Sequence, residues 1–190
     1  MARPREFEID DALNDLMHVF WRQGYEATSM FDIEDATGLN KQSLYRVFGD
    51  KRAMYLAALK HYDDTQVRGA DVIFDSDDSA HAKFRVLFES ALEPVLKRND
   101  RNGCFLCNAS ADQSQLDDQT QSFVSAAVNR LLSKFSHALS SDARYKTDIA
   151  LRDATAAQLL AGYFGLRVLV RASADIKTLK RAVHAILSSI

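Results

Sequence analysis

Apolar side chains recur every three or four residues along most of this chain, which is the spacing of one face of an α-helix. Only seven glycines and two prolines occur in 190 residues, and such scarcity favours long helices over a turn-rich β architecture. No segment has a convincing strand pattern, so the sequence predicts an all-α fold. The most regular stripe lies in the last segment and consists of Ile176, Leu179, Val183, Ile186, Leu187 and Ile190.

Composition argues against several classes of protein. No apolar run approaches the roughly 18 residues that a membrane span needs, and the first residues lack the apolar core of an export signal. Two cysteines cannot form a disulfide framework. We therefore expect a cytoplasmic protein without a membrane partner.

The segment from Thr28 to Arg52 predicts two short helices joined by a tight turn. The first helix would span about Ser29 to Thr37 and end at Gly38. Asn40 would cap the second helix by accepting hydrogen bonds from amides two and three residues on. This is the layout of a helix-turn-helix, whose second helix presents a polar face to DNA. The residues of the second helix expected to face inward are Leu44, Val47 and Phe48.

The remaining residue types of the second helix suit DNA recognition. Gln42 can bond an adenine edge, and Arg46 can reach guanine or a phosphate. Lys41 and Tyr45 suit phosphate contacts, which set register rather than sequence. Helix N-termini also attract phosphate through free amides and the helix dipole. The predicted DNA-contacting residues are Thr28, Ser29, Asn40, Lys41, Gln42, Ser43, Tyr45, Arg46 and Lys51.

The charge that would attract DNA is local. The whole chain has a net charge of −2, whereas residues 38–52 hold four basic side chains and one acidic side chain. Phosphate attraction decays within about 10 Å in physiological salt, so a local basic face is sufficient. Overall charge therefore neither supports nor excludes DNA binding.

Aromatic and polar residues of the later helices form the predicted ligand pocket. A small-molecule site is usually an apolar cavity with few polar groups, and plain core packing is the alternative for each aromatic residue. No cluster of arginine or lysine lies within these stripes, which disfavours a strongly anionic ligand. The predicted pocket residues are Phe84, Phe88, Cys104, Phe105, Cys107, Asn108, Phe123, Gln158, Tyr163 and Phe164.

Cys104 and Cys107 form an isolated Cys-x-x-Cys pair. Zinc would need two further ligands at suitable spacing, and none is evident, so we predict no metal site. Two interpretations stay open for the pair. It is either two small buried apolar residues or a thiol sensor for oxidants or electrophiles, with Cys104 activated at a helix N-terminus.

Small residues recur at helical spacing between Thr147 and Arg171, and they allow another helix to approach closely. Together with the apolar stripe of the last helix they predict a homodimer, although a partner within the same chain remains possible. A symmetric dimer would read a palindromic operator. The predicted interface residues are Ala154, Ala157, Ala161, Gly165, Leu179, Val183 and Ile186.

Residues 8–60 resemble the tetracycline-repressor (TetR) family of bacterial transcriptional regulators in residue types and spacing. The resemblance implies about nine helices, a homodimer joined through its last two helices, and a small molecule bound among the middle helices that changes the spacing of the DNA-reading heads. We place a helix-turn-helix DNA-binding domain at residues 1–50, a connecting helix at 51–67, and an effector-binding and dimerisation domain at 68–190. The resemblance rests on Gly24-Tyr25, Thr28-Ser29-Met30, Asp32-Ile33, Ala36-Thr37-Gly38-Leu39, Lys41, Ser43-Leu44-Tyr45, Phe48 and Lys51.

The leading hypothesis is a regulator that binds double-stranded DNA, a repressor released from its operator by a small apolar effector or by thiol modification. It would need no cofactor and no catalytic residue. Two alternatives remain from the sequence. One is a small helical thiol-dependent enzyme that uses Cys104 and Cys107, and the other is a dimeric scaffold that does not bind DNA.

Overall fold

The computed structural model describes residues 3–112 and 116–190, with side chains from residue 9 onward. All regular elements of this part of the chain are helical, which confirms the all-α fold, and none of its helices is long and apolar enough to cross a membrane. Of its eleven α-helices, α5 and α9 are single four-residue turns. The helices are α1 (Arg3–Gln23), α2 (Met30–Thr37), α3 (Lys41–Phe48), α4 (Lys51–Tyr62), α5 (Asp71–Phe74), α6 (Ala80–Arg98), α7 (Phe105–Ala111), α8 (Asp118–Leu139), α9 (Ala143–Lys146), α10 (Ile149–Arg171) and α11 (Ile176–Leu187).

Side-chain caps define the starts of the three short helices near the N-terminus. Ser29 Oγ accepts from the Asp32 N–H at 3.2 Å, and the Asp32 carboxylate accepts from the Ser29 N–H at 2.7 Å. Asn40 caps α3, as predicted, and Asp50 caps α4. Gly38 ends α2 at a φ of 66°, a left-handed conformation that glycine adopts without strain. Because a cap contributes about 1 kcal/mol to a helix, the local sequence sets these boundaries.

Helices α1 to α4 enclose the first hydrophobic core. Leu16 and Phe20 of α1 are fully buried, as are Ile33 of α2 and Leu44 of α3. Phe105 of α7 is buried in the same cluster. The N-terminal helices, which we call the head (α1 to α4), therefore share a core with α7 of the C-terminal part.

Helices α6, α8, α10 and α11 form the second core. Phe84 and Phe88 of α6 are fully buried, and Phe135 of α8 and Leu159 of α10 lie in the same cluster. Leu179 of α11 closes it from the other side. This bundle makes up most of the chain after residue 79.

One inward position of α3 was predicted wrongly. Val47 is 42% exposed, whereas Leu44 is buried and Phe48 packs against the first core. An eight-residue helix packs through a single narrow face. Leu44 and Phe48 are four residues apart and occupy that face, which leaves Val47 outside it.

The region between α4 and α6 is more helical than predicted. Helix α4 ends at Tyr62 and continues as a π-helical turn (Asp63–Val67) and a 3-10 turn (Arg68–Ala70). The chain between this turn and α6 contains α5, whose Phe74 is buried in the second core. Pro94 does not end α6, since the following Val95 is buried and holds the last turn against the core.

Asp175 caps the N-terminus of α11, and the negative charge of its carboxylate can be tested for its contribution to stability. The Asp175 carboxylate accepts from the Thr178 N–H at 2.9 Å and from the Thr178 hydroxyl at 2.7 Å. These hydrogen bonds lower the pKa of Asp175 below its usual value. A carboxyl with a lowered pKa in the folded state stabilises the fold above its unfolded pKa of about 3.9 and loses this effect as pH falls through the folded pKa.

We therefore expect Asp175→Asn to lower the melting temperature at pH 7 and to have a smaller effect at pH 3, measured by circular dichroism. Asp77→Asn serves as the control, because Asp77 is exposed and caps no helix of the described chain. An equal loss for Asp175→Asn at both pH values would contradict the electrostatic account.

Candidate nucleic-acid interface and ligand cavity

The outer surface of α3 carries four exposed polar or charged side chains, those of Lys41, Gln42, Tyr45 and Arg46, beside the exposed Val47. Lys41 Nζ lies 5.7 Å from the centre of the Tyr45 ring, so the cation and the phenol form one contiguous patch. Ser43, also predicted as a contact, is half-buried. The helix is anchored beneath this surface by its buried apolar face, and the polar surface therefore protrudes, as groove recognition requires.

The first turn of α3 is held in place by two side-chain acceptors. Asn40 Oδ1 accepts from the Ser43 N–H at 2.9 Å. The Glu34 carboxylate of α2 accepts from the Lys41 N–H. Both bonds satisfy amides that a helix N-terminus otherwise leaves free. They fix the turn that carries Lys41 and Gln42, and Asn40 acts here through its oxygen as a cap.

The other predicted DNA contacts lie away from α3. Thr28 is fully buried, and its hydroxyl donates to the Gly24 carbonyl at 2.6 Å, so it closes the α1–α2 connection and presents no surface. Ser29 is exposed and its hydroxyl bonds the Asp32 carboxylate. Lys51 is half-buried, with Nζ 4.5 Å from the centre of the Tyr25 ring. Because it is buried, Thr28 is not a candidate for contacting DNA.

A cavity of ≈ 420 Å³ lies between the head and the C-terminal bundle. Helices α1 and α4 and the π-helical turn form one wall, and α6, α7, α8 and α10 form the other. Its volume falls within the range of about 300–1,000 Å³ that is usual for small-molecule sites. The lining residues are His18, Trp21, Tyr62, Gln66, Val67, Ala70, Leu87, Ser90, Ala91, Pro94, Arg98, Asp100, Cys104, Leu106, Leu131, Tyr163 and Arg167.

Arg167 is a half-buried cation in the wall of this cavity. Its Nη1 donates to the Ala91 carbonyl at 3.1 Å, and its Nη2 donates to the Gly103 carbonyl at 2.7 Å. Its Nε is buried and has no hydrogen-bond partner among the described residues, and the same is true of Trp21 Nε1. Two donors of the cavity wall thus have no partner within the described chain, which is uncommon for buried polar groups.

Burial and mutual interaction shift the ionisation of the groups around Arg167. Burial, and next the neighbouring Cys104, raise the pKa of Tyr62 well above its usual value. Burial raises the pKa of Tyr163 to about 12, against the opposing effect of Arg167. Burial disfavours the charged form of Arg167, but Tyr163, Cys104 and Tyr62 raise its pKa above the ordinary value. Both tyrosines are neutral and Arg167 is charged near pH 7.

The structure brings few of the predicted pocket residues to this cavity. Cys104 and Tyr163 line it. Phe84 and Phe88 are fully buried in the second core, and Phe123 and Phe164 pack against cores as half-buried residues. Gln158 is exposed, with its amide on the Ser189 hydroxyl. Helical spacing identified the apolar residues but could not separate core from cavity wall. The remaining predicted residues border a separate cleft near α7: Phe105, Cys107 and Asn108.

The two cysteines have different surroundings. Both are free thiols and both are buried. Cys104 lines the cavity, whereas Cys107 faces α10 and its Sγ lies 3.8 Å from the Phe164 carbonyl. Burial, and next the neighbouring Cys104, raise the pKa of Cys107 to about 12. In the described part of the chain no three of the residue types His, Cys, Asp and Glu are grouped to hold a metal ion.

Sequence reasoning missed most of the cavity, including His18, Trp21, Tyr62 and Gln66. Arg167 had a recognisable signal, since it is the one charged residue between Ala154 and Val170 of an otherwise apolar and small-residue stretch. A charge in such a stretch is expensive to bury unless it has a partner or a function. The lining residues of α1 and α4 had no such signal in the sequence. Both helices have apolar faces that already pack into the core of the head, so an additional cavity-lining role does not stand out.

The predicted dimer residues divide between two surfaces. Ala154, Ala157, Ala161 and Gly165 are exposed on α10, and a Cβ built on Gly165 would meet no atom within 4 Å. In contrast, α11 buries two of its three predicted residues, Leu179 and Val183, in the core of its own chain, and Ile186 packs against that core. The exposed stripe continues along α10 with Val168, which is 53% exposed, and Leu169, which is 36% exposed.

Comparisons with known proteins agree with this architecture. Residues 13–58 match the family model described as bacterial regulatory proteins, tetR family. The HTH-type transcriptional repressor ComR of Escherichia coli is 32% identical over 108 residues, which are 56% of this chain and 51% of ComR. The uncharacterized HTH-type regulator YezE of Bacillus subtilis is 26% identical over 139 residues, or 73% of this chain and 72% of YezE. The match to ComR thus spans about half the length of that relative.

Solved structures share the fold over nearly the whole chain. The TetR family regulator CifR, solved as a cysteine mutant with 26-bp operator DNA, has a TM-score of 0.79 at 21% identity, with 95% of each chain covered. A TetR regulator from Legionella pneumophila has a TM-score of 0.82 at 21% identity, with 96% of each chain covered. Likeness at this identity establishes the fold, and the sequence matches add the helix-turn-helix. Residues 13–58 thus match the tetR family of bacterial regulatory proteins, and the chain as a whole shares the fold of solved TetR regulators.

Proposed function

We propose that this protein is a transcriptional repressor that binds a palindromic operator as a homodimer and releases it when a small molecule occupies the cavity. The observation that carries the proposal is the polar surface of α3, where Lys41, Gln42, Tyr45 and Arg46 are exposed. Residues 1–50 serve as the DNA-binding domain, residues 51–67 connect it, and residues 68–190 bind the effector and the second copy.

The relatives support a DNA-binding role. ComR is named a transcriptional repressor, and so is BdcR of Escherichia coli, which is 30% identical over 103 residues. CifR has been solved with its operator. In this chain Gln42 is placed to read a base edge, while Lys41, Tyr45 and Arg46 supply contacts near the phosphates. The local positive charge of α3 makes this binding salt-dependent.

The cavity is positioned to couple ligand binding to the head. His18 and Trp21 of α1 and Tyr62 of α4 form part of its wall, so an occupant touches two of the head helices directly. Arg171 of α10 adds a second link, because its guanidinium donates to the Trp21 and Arg22 carbonyls at 3.3 Å each. A ligand that prefers one arrangement of α1 and α4 would shift the population of heads able to bind an operator.

The exposed small stripe of α10 supports the homodimer. Small side chains allow two helices to approach closely, and the adjoining Val168 and Leu169 add apolar surface that water would otherwise face. Within the chain α10 and α11 already pack closely, since a Cβ on Gly162 would lie 3.1 Å from Ile186. The pair therefore presents a rigid surface to a second copy.

Cys104 supplies a second route of control, by thiol modification. Its side chain lines the cavity, where an electrophilic molecule can be held beside it. In a thiol addition the sulfur bonds to the electrophilic carbon and the thiol proton is transferred to the adduct. Cys107 has little thiolate near pH 7, because burial raises its pKa.

The DNA proposal is tested by binding to the DNA upstream of the gene that encodes this chain, measured by fluorescence anisotropy at several salt concentrations. Lys41→Ala should weaken binding to all sequences and reduce the salt slope by about one, as loss of a phosphate contact does. Gln42→Ala should weaken binding to the operator by about 1–3 kcal/mol and relax specificity at one base pair.

Lys60→Ala is the matched control, because Lys60 is an exposed lysine of α4 outside the α3 surface. It should leave both affinity and salt slope unchanged. The DNA role of α3 is refuted if Lys41→Ala behaves like Lys60→Ala, or if the wild-type protein lacks a salt-sensitive, sequence-specific shift.

The dimer is tested with Ala161→Arg, which places a long charged side chain on the exposed stripe of α10. We expect the protein to remain helical and to become monomeric, measured by light scattering after size exclusion. Ala126→Arg is the control, since Ala126 is exposed on α8, away from that stripe. Dimers of unchanged strength in the Ala161→Arg variant would rule out this interface.

The thiol route is tested with N-ethylmaleimide, an electrophilic alkene, and the readout is release of operator DNA. Cys104→Ser should abolish the response, while Cys107→Ser should retain it. A response that survives Cys104→Ser would discard the role of Cys104, and a response lost only in Cys107→Ser would reverse the assignment.

A further inference from the structure

We propose that the cavity binds a small organic acid, in which one carboxylate is joined to a compact apolar body, and that Arg167 recognises the carboxylate. The inference rests on the proposed ligand-controlled function and names the chemical class of the ligand. It follows from the charge, the unsatisfied donors and the apolar surface of the cavity wall.

Within the described chain, the positive charge of Arg167 has no carboxylate beside it as a counter-ion. The guanidinium has five N–H donors, and the Ala91 and Gly103 carbonyls accept from Nη1 and Nη2. Nε has no acceptor. Among residues with described side chains, no carboxylate forms an ion pair with Arg167, although five other ion-paired cations occur elsewhere in the chain.

The neighbours of Arg167 do not neutralise it. Tyr62 and Tyr163 have raised pKa values and are neutral near pH 7. The carboxylate that also lines the cavity, Asp100, accepts from the Asn102 N–H at 3.0 Å and does not pair with Arg167. A cation that is partly removed from water and has no counter-ion is costly. A ligand carboxylate would supply a charge-assisted hydrogen bond, whose planar geometry matches a guanidinium.

Trp21 of α1 adds a second donor, from the opposite wall of the cavity. Its indole N–H is buried and has no acceptor in the described chain, and an indole can only donate. Acceptor atoms on a ligand would offer partners to this donor as well as to Arg167. A neutral hydrocarbon would leave both unsatisfied, so the unsatisfied donors favour an acid over a purely apolar ligand.

The other lining residues indicate the chemistry of the part of the ligand beyond its carboxylate. Leu87, Leu106, Leu131 and Val67 line the cavity and suit an apolar or aromatic body. Arg98 also lines the cavity, but it is exposed, which leaves Arg167 as the half-buried cation of the wall without an ion pair among the described residues. The cavity therefore selects a singly charged acid rather than a polyphosphate.

Trp21 makes the test direct, because it is the single tryptophan of the chain and it lies in the cavity wall. Binding can be followed on the protein alone by its intrinsic fluorescence. The probes are matched pairs of an acid and its amide, trans-cinnamate with cinnamamide and hexanoate with hexanamide. We expect at least one acid to bind about tenfold or more tightly than its amide, equivalent to about 1.4 kcal/mol.

Two arginine variants separate recognition from structure. Arg167→Gln should bring the acid-to-amide ratio close to one. Arg152→Gln is the control and should keep the wild-type ratio, because Arg152 is also a half-buried arginine of α10, donates to the Ser136 hydroxyl, and lies outside the cavity lining.

The wild-type ratio decides the proposal even if Arg167→Gln fails to fold. Equal affinities for acid and amide, absence of binding by every acid at millimolar concentration, or an unchanged ratio in folded Arg167→Gln would overturn it. Operator binding is measured without any probe, so loss of the DNA role and loss of acid selectivity are separate results.

Discussion

The aromatic cluster around Phe105 is the contact on which the rest of the molecule depends. Phe105 of α7 packs edge-on against Tyr55 and Tyr62 of α4, with ring centres 5.4 and 5.8 Å apart. Tyr62 in turn meets Trp21 of α1 at 4.9 Å. Such edge-to-face pairs contribute about 0.5–1.5 kcal/mol each beyond their burial. Through them the head and the C-terminal bundle are packed together, and the space left beside the cluster is the cavity.

This arrangement explains how one small site can influence a distant surface. The cavity wall includes Tyr62, which ends the regular part of α4, and the π-helical turn follows at once. Asp63 in that turn is buried and pairs with Arg130 of α8, so the turn is held from both sides. π-helical turns within helices often occur at functional sites. A ligand here meets α4 where its hydrogen bonding is irregular, and α4 leads directly back to α3.

Sequence reasoning succeeded where a residue acts on its immediate neighbours. Asn40 caps α3 and Gly38 ends α2 because both effects operate within one turn of backbone. It failed where the outcome depends on distant packing. Thr28 has the chemistry of a phosphate contact, yet its hydroxyl bonds the Gly24 carbonyl in the interior. Phe84 and Phe88 have the apolarity of a pocket wall, yet both are sealed in the second core.

The sequence by itself determined the helices, their caps and the polar surface of α3, because propensity, spacing and capping are properties of adjacent residues. The cavity was decided only by the tertiary structure. Its wall joins His18 and Trp21 near one end of the chain to Tyr163 and Arg167 near the other, and no local rule relates residues so far apart. Whether Arg167 has a partner depends on which side chains the packed helices bring beside it, and helix packing is a property of the whole chain.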